Sequence, residues 1–261
     1  CGLSVQRIFR AEIQDVYAGG DVVLRAINYG GRLMEDKFVA LLPMKGHSER
    51  VQNKNIRDFN GTPLFCRILN TLMKCTYVSG VYIDTDSAEI AGIAKNLFKS
   101  VHIIERPERL CGDMVSMNSI IEYDMDMIGA EYYIQTHATN PLLRAETLDE
   151  GCRRFLEKMN LFDSLFSVNR LQTRLYDGNA KAVNHRPEEL IRTQDLPPLY
   201  EENSNFYIFS KTSFLSTGAR IGKRPQMMET DRLESIDIDE EVDFMLAEQI
   251  DILLSKEWRE K

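Results

Sequence analysis

Three cationic side chains, Lys45, Arg50 and Lys54, lie within ten residues of one another in a polar loop. The apolar run before it, residues 38–42, stops at Pro43 and predicts a buried strand. Backbone N–H groups and cations in a loop after such a strand are suited to bind phosphate. The loop therefore indicates a triphosphate clamp, whose cations neutralise charge that develops on the α-phosphate and the leaving pyrophosphate. An ordinary solvated basic loop is the alternative.

Two carboxylates, Asp237 and Asp239, alternate near the C-terminal end of the sequence. In a short strand both would point to the same face. They would repel each other there unless a cation lay between them, and Mg²⁺ prefers hard oxygen ligands. The pair thus predicts a magnesium site. The alternative is an acidic edge strand that enters a helix, where Glu240 and Glu241 would favour the positive helix N-terminus.

Further polar groups follow other predicted strands. Asp84 and Asp86 end one strand, although Asp86 or Ser87 could simply cap the next helix. Arg106 and Ser116 come after another strand, where they could contact a base or a ribose, or could belong to an ordinary surface turn. These residues are therefore candidates for the nucleotide half of a site.

A second group of candidates comes later in the chain. His137 and Thr139 lie among polar residues at a strand end, where His137 is a candidate for contacting a sugar, although a single histidine is more often structural. Arg192 could bind a substrate carboxylate through two hydrogen bonds or form an interface salt bridge. Asn203 and Tyr207 lie near the start of a later predicted strand.

Strands and helices alternate from Phe38 onward, and this order positions the polar groups. The predicted strands are 38–43, 78–85, 101–105, 132–135, 164–168 and 204–210, with a short acidic strand at 237–239. The predicted helices are 63–77, 87–98, 116–128, 145–159 and an amphipathic helix after the acidic strand. This order predicts an α/β fold of three layers with a mainly parallel sheet. Because ligands bind beyond the carboxyl ends of such strands, we expect the polar clusters to converge at one edge.

Composition limits the function classes. The net charge of -8 and the pI of about 5.2 argue against nucleic acid as the main partner. The five cysteines form no CxxC pair, which predicts reduced thiols and a cytoplasmic protein. No apolar stretch is long enough to span a membrane, and the N-terminal segment lacks the pattern of a secretory signal.

The chain of 261 residues divides into two parts by pattern, the second of which contains an arm. Residues 1–33 carry no recognisable chemistry, and we expect a peripheral N-terminal extension, with a small added binding element as the alternative. Residues 34–261 fit a single domain. Within it, residues 169–200 are polar, contain three prolines and lack regular apolar spacing, which is typical of a functional segment or an interface arm.

Six motifs in order along the chain resemble those of the acylneuraminate cytidylyltransferases, also called CMP-sialic acid synthetases. The first, PMKGHSERVQNKN at 43–55, aligns without gaps with the family pattern P-A-R-G-G-S-K-x-I-P-x-K-N. The others are Asp84-Thr85-Asp86, Arg106-Pro107 with Gly112-Asp113 and Ser116, HATNPL at 137–142, Glu202-Asn203 with Tyr207-Ile208, and Ile236–Asp239 with Asp243. The resemblance covers residues from about 38 to 249.

The resemblance implies a nucleotide-diphospho-sugar transferase fold, which is Rossmann-like, and a homodimer formed through the arm. It also implies a Mg²⁺-dependent reaction of CTP with an acidic nine- or eight-carbon α-keto sugar, giving a CMP-sugar and pyrophosphate. The implied nucleotide-binding residues are Pro43, Lys45, Gly46, Ser48, Lys54, Asn55, Asp84, Arg106 and Ser116. The implied sugar-binding residues are His137, Thr139, Arg192, Asn203 and Tyr207. Asp237 and Asp239 would hold Mg²⁺, and Lys45, Lys54 and Asp239 would be catalytic.

Two alternatives stay open. The same fold could use another nucleotide triphosphate or another sugar acid. Alternatively, the chain could be a degenerate member that binds a nucleotide sugar without catalysis. His47 and Glu49 favour the second alternative, because the family pattern has Gly and Lys at those positions. The paired carboxylates count against it.

Overall fold

The computed structural model describes residues 17–18, 21–22, 37–48 and 50–257. The chain divides into two units, residues 1–37 and 38–261. In the first unit, β1 (Tyr17–Ala18) pairs antiparallel with β2 (Asp21–Val22). Most of residues 1–33 lie outside the described part, so the peripheral role of that segment stays a prediction.

A seven-stranded sheet forms the centre of the second unit. Its strands are β3 (Phe38–Leu41), β6 (Val78–Thr85), β7 (Val101–Glu105), β8 (Tyr132–Thr136), β9 (Ser164–Leu171), β10 (Leu199–Ser210) and β11 (Pro225–Glu229). A separate small hairpin contains β4 (Asp58–Phe59) and β5 (Thr62–Pro63). The order in the large sheet is β11-β9-β10-β8-β3-β6-β7, and β10 alone among these strands runs antiparallel to its neighbours.

Six α-helices accompany the strands in the described residues: α1 (Phe65–Lys74), α2 (Ala88–Leu97), α3 (Met117–Ile128), α4 (Ala145–Glu157), α5 (Lys211–Thr217) and α6 (Glu241–Glu257). Short 3-10 turns span Lys54–Ile56, Glu108–Leu110 and Thr193–Asp195. Side-chain caps fix several helix starts, since Ser87, Ser116 and Ser210 each accept a hydrogen bond from the backbone N–H three residues later. None of these helices combines the length and the apolar character needed to cross a bilayer.

Both faces of the sheet are buried. Along β3, Phe38 and Ala40 pack with side chains of α1, α2 and α4, whereas Val39 and Leu41 pack with side chains of α3 and α5. Successive strand residues point to opposite faces, so an uninterrupted apolar strand requires cover on both sides. The predicted α/β fold with a mainly parallel sheet in three layers is confirmed.

A smaller cluster connects the first loop to the last helix. Its fully or almost fully buried members are Val51, Phe59, Leu64, Ile238, Phe244 and Ala247. Val51 belongs to the polar loop after β3, and Ile238 lies between the two predicted metal carboxylates. Burial of these side chains therefore holds the basic loop against the acidic segment.

The parallel strands bring their carboxyl ends to one edge. β3 pairs in parallel with both β6 and β8, and Met44 just beyond β3 forms a bridge with Thr85. β10 runs the opposite way, with Phe206 opposite Thr136, so its N-terminal half reaches the same edge. The loops that carry the candidate residues therefore meet there.

Two predicted segments differ from the structure, and two short elements were not predicted. Residues 237–239 are not a strand, because the N–H of Ile238 donates to Thr139 O, and the N–H of Asp239 donates to the Asp243 carboxylate. The irregular segment is shorter than 169–200, because β9 continues to Leu171 and β10 begins at Leu199. The sequence patterns also missed α5 and β11, which are short.

Candidate active site

Cations of the first loop contact the acidic segment before α6. Arg50 Nη2 lies 2.7 Å from Asp239 Oδ1, and Lys54 Nζ lies 3.9 Å from the same oxygen. The Lys54 ammonium also donates to Ile238 O. Burial lowers the pKa of Lys54, and the Asp239 carboxylate opposes that shift. A buried cation and an exposed one thus converge on a single carboxylate.

Asp237 presents an unsatisfied oxygen at the same place. Its Oδ1 is buried and has no hydrogen-bond partner among the described residues. Burial raises the pKa of Asp237, and the Thr139 hydrogen bond counteracts this. A buried carboxylate oxygen without a partner suits a hard cation.

The donor set fits Mg²⁺ held jointly with a phosphate ligand. No cluster of three or more metal-binding His, Cys, Asp or Glu side chains occurs in the ranges that the structure describes. Mg²⁺ commonly takes one or two protein carboxylates and completes its shell with water and substrate phosphate oxygens. Asp237 and Asp239 would be those two carboxylates.

The start of the loop is held close to the end of β6. The Gly46 N–H donates to Asp86 Oδ1 at 2.6 Å, and a Cβ at Gly46 would lie 2.7 Å from Ser87 Cβ. Asn55 Nδ2 donates to Lys45 O at 2.9 Å, which ties the two ends of the loop together. The Lys45 ammonium pairs with Asp113 at 2.9 Å and is partly exposed. Glycine at position 46 is therefore required by close packing.

Beneath this loop lies a buried charged cluster of Asp84, Arg106 and Asp124. The Asp84 and Arg106 side chains are each 1% exposed and form an ion pair. Arg106 Nη2 also donates to Met44 O, which supports the loop from below. Burial and then the Asp84 charge raise the pKa of Asp124 to about 9, so Asp124 is protonated at neutral pH. Direct contact of Asp84 or Arg106 with a nucleotide stays a prediction.

A second cluster surrounds His137 at the end of β8. The Arg220 guanidinium lies 3.6 Å from the centroid of the Tyr207 ring and donates to Gln135 Oε1 at 2.6 Å. Arg220 Nη1 lies 3.3 Å from His137 Nε2, and Nη2 lies 3.7 Å from the Glu202 carboxylate. The side chain of Arg220 is only 18% exposed. A cation thus stands among the residues predicted to hold a sugar.

A cavity of about 200 Å³ adjoins this cluster. Arg220, its neighbours Ala219 and Ile221, and the start of α3 line it, including Ser116 and Asn118. Ser116 is a predicted nucleotide-binding residue and Arg220 contacts the predicted sugar-binding ones. The cavity therefore lies between the two halves of the candidate site.

A protein-family model described as Cytidylyltransferase matches residues 39–258, most of the chain. The chain belongs to the cytidylyltransferase family. N-acylneuraminate cytidylyltransferase A of Danio rerio is 27% identical over 80% of this chain, and the chain spans 50% of that relative's length. Pseudaminic acid cytidylyltransferase of Campylobacter jejuni is 24% identical over 69% of this chain and 81% of the relative. The predicted family resemblance is confirmed.

Two solved structures share the fold. A CMP:2-keto-3-deoxy-manno-octonic acid synthetase complexed with CTP has a TM-score of 0.60 at 13% identity, covering 85% of this chain and 99% of the other. The 4-diphosphocytidyl-2C-methyl-D-erythritol synthase of Anaerococcus prevotii has a TM-score of 0.56 at 10% identity, with coverages of 83% and 97%. At these identities the likeness concerns the fold alone.

Most of the predicted residues of this family member meet at the edge described above, but Arg192 lies elsewhere. Arg192 is 72% exposed on the arm and pairs with Asp195 at 2.7 Å. Asn203 is buried and donates to Asn169 and Thr230 side chains. Pro43 is buried and Ser48 is partly exposed in the first loop. Glu49 lies outside the described residues.

Sequence reasoning missed two residues of this arrangement, Arg220 and Asp124. Arg220 belongs to a segment without a strong periodic pattern, and its only signal is an arginine between two glycines, Gly218 and Gly222. Asp124 lies inside the predicted helix 116–128, where an acidic residue would ordinarily face solvent. Its burial against Asp84 depends on helix packing and has no local signature.

Proposed function

We propose that this protein is a Mg²⁺-dependent cytidylyltransferase that joins CTP to an acidic nine- or eight-carbon α-keto sugar, giving a CMP-sugar and pyrophosphate. The observation that carries the proposal is the contact of Arg50 and Lys54 with Asp239, next to the unsatisfied oxygen of Asp237. Cations suited to phosphates and carboxylates suited to a metal ion occupy one place. The names of the Danio rerio and Campylobacter jejuni relatives support an acidic sugar as the acceptor.

The reaction requires in-line attack by the anomeric hydroxyl of the sugar on the α-phosphate. A bond forms between that oxygen and phosphorus, the bond from the α-phosphorus to the bridging oxygen of pyrophosphate breaks, and the proton of the attacking hydroxyl is released to solvent. Catalysis of this kind rests on positioning and charge neutralisation. When bound by Asp237 and Asp239, Mg²⁺ would supply charge neutralisation at the phosphate oxygens.

The protein's own residues would bind the triphosphate and the sugar. Lys45 and Lys54 would hold the triphosphate, and Gly46 would let the backbone approach it closely. Lys54 also donates to Ile238 O, so it would fix the acidic segment relative to the nucleotide. His137, which is partly exposed, would bind the sugar close to Arg220. Tyr207 is fully buried, so in place of the predicted direct contact with the sugar it would support Arg220, which stacks on its ring.

A pyrophosphate-release assay tests the function. Wild-type protein is incubated with Mg²⁺ and each of the four NTPs, against sialic, legionaminic, pseudaminic and eight-carbon keto acids. We expect release with CTP and one class of sugar acid. Release with a different NTP would favour the alternative of another nucleotide. CTP binding without release from any pair would favour a non-catalytic nucleotide-sugar-binding module, which the Arg50–Asp239 ion pair also permits.

The metal assignment is tested by Asp239→Ala. We expect pyrophosphate release to fall below detection while the circular dichroism spectrum is unchanged, because a ligand of the ion is lost. Glu240→Ala is the matched control, since Glu240 is the exposed acidic neighbour, and it should keep wild-type turnover. Normal turnover of Asp239→Ala would remove Asp239 from the proposed site.

We also propose a homodimer formed through the arm, and a cytoplasmic location. The arm exposes apolar side chains, including Leu190 at 87% and Ile191 at 44%. Exposed apolar residues grouped in one segment are typical of an interface. The four cysteines in the described residues are free thiols, as expected in a reducing compartment.

A further inference from the structure

The amide of Gln135 has one orientation that its neighbours permit. Its Oε1 accepts from Arg220 Nη1 at 2.6 Å, and its Nε2 donates to Thr136 O at 2.9 Å. A guanidinium can only donate and a backbone carbonyl can only accept. Reversal of the amide would place donor against donor on one side and acceptor against acceptor on the other. Gln135 is fully buried, so water cannot relieve such a mismatch.

This orientation determines the proton on His137. Gln135 Nε2 lies 3.0 Å from His137 Nε2, and Arg220 Nη1 lies 3.3 Å from the same nitrogen. Both neighbours are donors, so His137 Nε2 must present its lone pair. The ring proton of the neutral imidazole then resides on Nδ1. The hydrogen-bond network thereby assigns the tautomer.

Arg220 is itself held firmly enough to impose this arrangement. Its guanidinium stacks 3.6 Å from the centroid of the Tyr207 ring, and the hydroxyl of Tyr207 donates to Glu202. Glu202 lies 3.7 Å from Arg220 Nη2 and provides a counter-charge. Burial, followed by the charges of Arg220 and Lys54, lowers the pKa of His137 to about 3, so the ring stays neutral under ordinary conditions.

We propose that Arg220 is a positioning residue which, through Gln135, locks His137 as the Nδ1–H tautomer, so that His137 presents one neutral N–H donor to an acceptor oxygen of the sugar. The hydrogen bonds of the His137 ring to other side chains in the described residues are both on Nε2, so Nδ1 has no side-chain partner there. The sugar contact rests on the proposed function, whereas the tautomer stands on the contacts alone.

Nitrogen-15 NMR of the full chain labelled at histidine tests the lock. The chain has four histidines, and the spectrum of His137→Gln identifies the His137 signals. We expect a protonated Nδ1 and an unprotonated Nε2, unchanged between pH 5.5 and 8. A protonated Nε2 in the wild-type protein would overturn the proposal.

Two variants separate positioning from a merely structural role. In Gln135→Glu one oxygen still accepts from Arg220, but the other now faces His137 Nε2 as an acceptor. We expect the proton to move to Nε2, or the ring to become charged with a pKa inside the range of the titration. In Arg220→Met the amide loses its anchor, and we expect a mixture of both tautomers. Arg220→Lys retains a donor and should partly restore the wild-type spectrum.

Kinetics then test the contact with the sugar. For Gln135→Glu and Arg220→Met we expect the sugar KM to rise about tenfold, as for loss of one hydrogen bond in a buried site. The KM for CTP should not change. An altered tautomer with an unchanged sugar KM would overturn the sugar contact, and unaltered His137 spectra in both variants would overturn the lock. If no sugar acid supports turnover, the proposed function fails, and the spectra still decide on the lock.

Discussion

Lys54 is the most buried cation of the first loop, with 9% of its surface exposed. Its ammonium donates to Ile238 O and lies 3.9 Å from Asp239, so it contacts both the backbone and a carboxylate of the acidic segment. Burial lowers the pKa of the Lys54 ammonium, and groups with a shifted pKa are often found at functional sites. At the scale of single residues, Lys54 therefore connects the predicted phosphate site to the predicted metal site.

Lys54→Met should weaken CTP binding. The substitution keeps most of the volume but removes a charge-assisted hydrogen bond, and we expect the Kd for CTP to rise at least about tenfold. Isothermal titration calorimetry measures the change. Lys74→Met, on the exposed end of α1, is the control and should leave the Kd unaltered. Equal affinities for the Lys54 variant and the wild type would refute the role.

Asp124 predicts a dependence of stability on pH. The Asp84 and Asp124 carboxyl groups are within hydrogen-bond reach, and Asp84 Oδ2 and Asp124 Oδ1 have no other partner in the described residues. Burial, followed by the charge of Asp84, raises the pKa of Asp124 to about 9. The folded state then binds a proton that the unfolded state has released, so stability decreases as pH rises from about 4 towards 9.

Asp124→Asn should remove this dependence, because an amide resembles the protonated acid and does not titrate. Between pH 6 and 8 we expect the free energy of unfolding of the variant, relative to the wild type, to increase by about 1–3 kcal/mol. Urea unfolding at the two pH values measures it. A constant difference would show that Asp124 is ionised in the native protein.

At the scale of elements, α4 lies closer to the sheet than a side chain at its contact point would allow. A Cβ at Gly151 would lie 2.9 Å from Phe206 Cε2 and 3.1 Å from Ile208 Cδ1, both in β10. Phe206 and Ile208 are fully buried and have little room to move. The same strand carries Asn203 and Tyr207, so the packing of α4 also sets the position of these two predicted sugar-binding residues.

Gly151→Ala should destabilise the protein. Overpacking costs about 1–3 kcal/mol and exceeds the helix propensity gained, about 1 kcal/mol, so we expect a net loss of about 1 kcal/mol. Gly92→Ala in α2 is the matched control, since no atom lies within 4 Å of its added Cβ. Thermal unfolding should show opposite signs for the two variants. An equal gain in thermal stability for both variants would mean that β10 shifts to make room for the added methyl group.

At the scale of the whole molecule, the arm between β9 and β10 exposes apolar surface without cover from the described residues around Leu190. Both strands that flank the arm belong to the central sheet, and β10 carries Asn203 and Tyr207, which were predicted to bind the sugar. A second copy that covers the arm would hold the adjoining ends of these two strands in place. The proposed dimer would therefore affect the sugar side more than the nucleotide side.

Leu190→Asp should shift the protein from dimer to monomer in sedimentation velocity, because a charge replaces an apolar contact. Leu161→Asp, in an exposed turn after α4, is the control and should leave the sedimentation coefficient as in the wild type. A wild-type protein that sediments as a monomer would contradict the proposed dimer.

The sequence by itself determined the layers and the chemistry of the first loop. An uninterrupted apolar strand such as β3, or a helix with one apolar face, produces a hydrophobic pattern over a few residues. Such a local pattern can be recognised in a single sequence. Because six motifs occur in the same order as in a known family, the sequence also predicted that Lys54 and Asp239 belong to one site. It did not show that Asp237 and Asp239 lie outside any strand, because that depends on caps and on Thr139.

Only the tertiary structure decided which distant side chains meet. Arg50 and Asp239 are 189 positions apart, and Arg220 and Gln135 are 85 positions apart. Their contacts follow from strand order, from the reversed direction of β10 and from the small core that contains Ile238. Local sequence propensity does not predict contacts over such separations, because these contacts depend on burial and hydrogen bonding by many residues that are distant in sequence. The proposed tautomer of His137 therefore depends on the folded molecule, whereas the prediction that the first loop binds phosphate follows from its residue types alone.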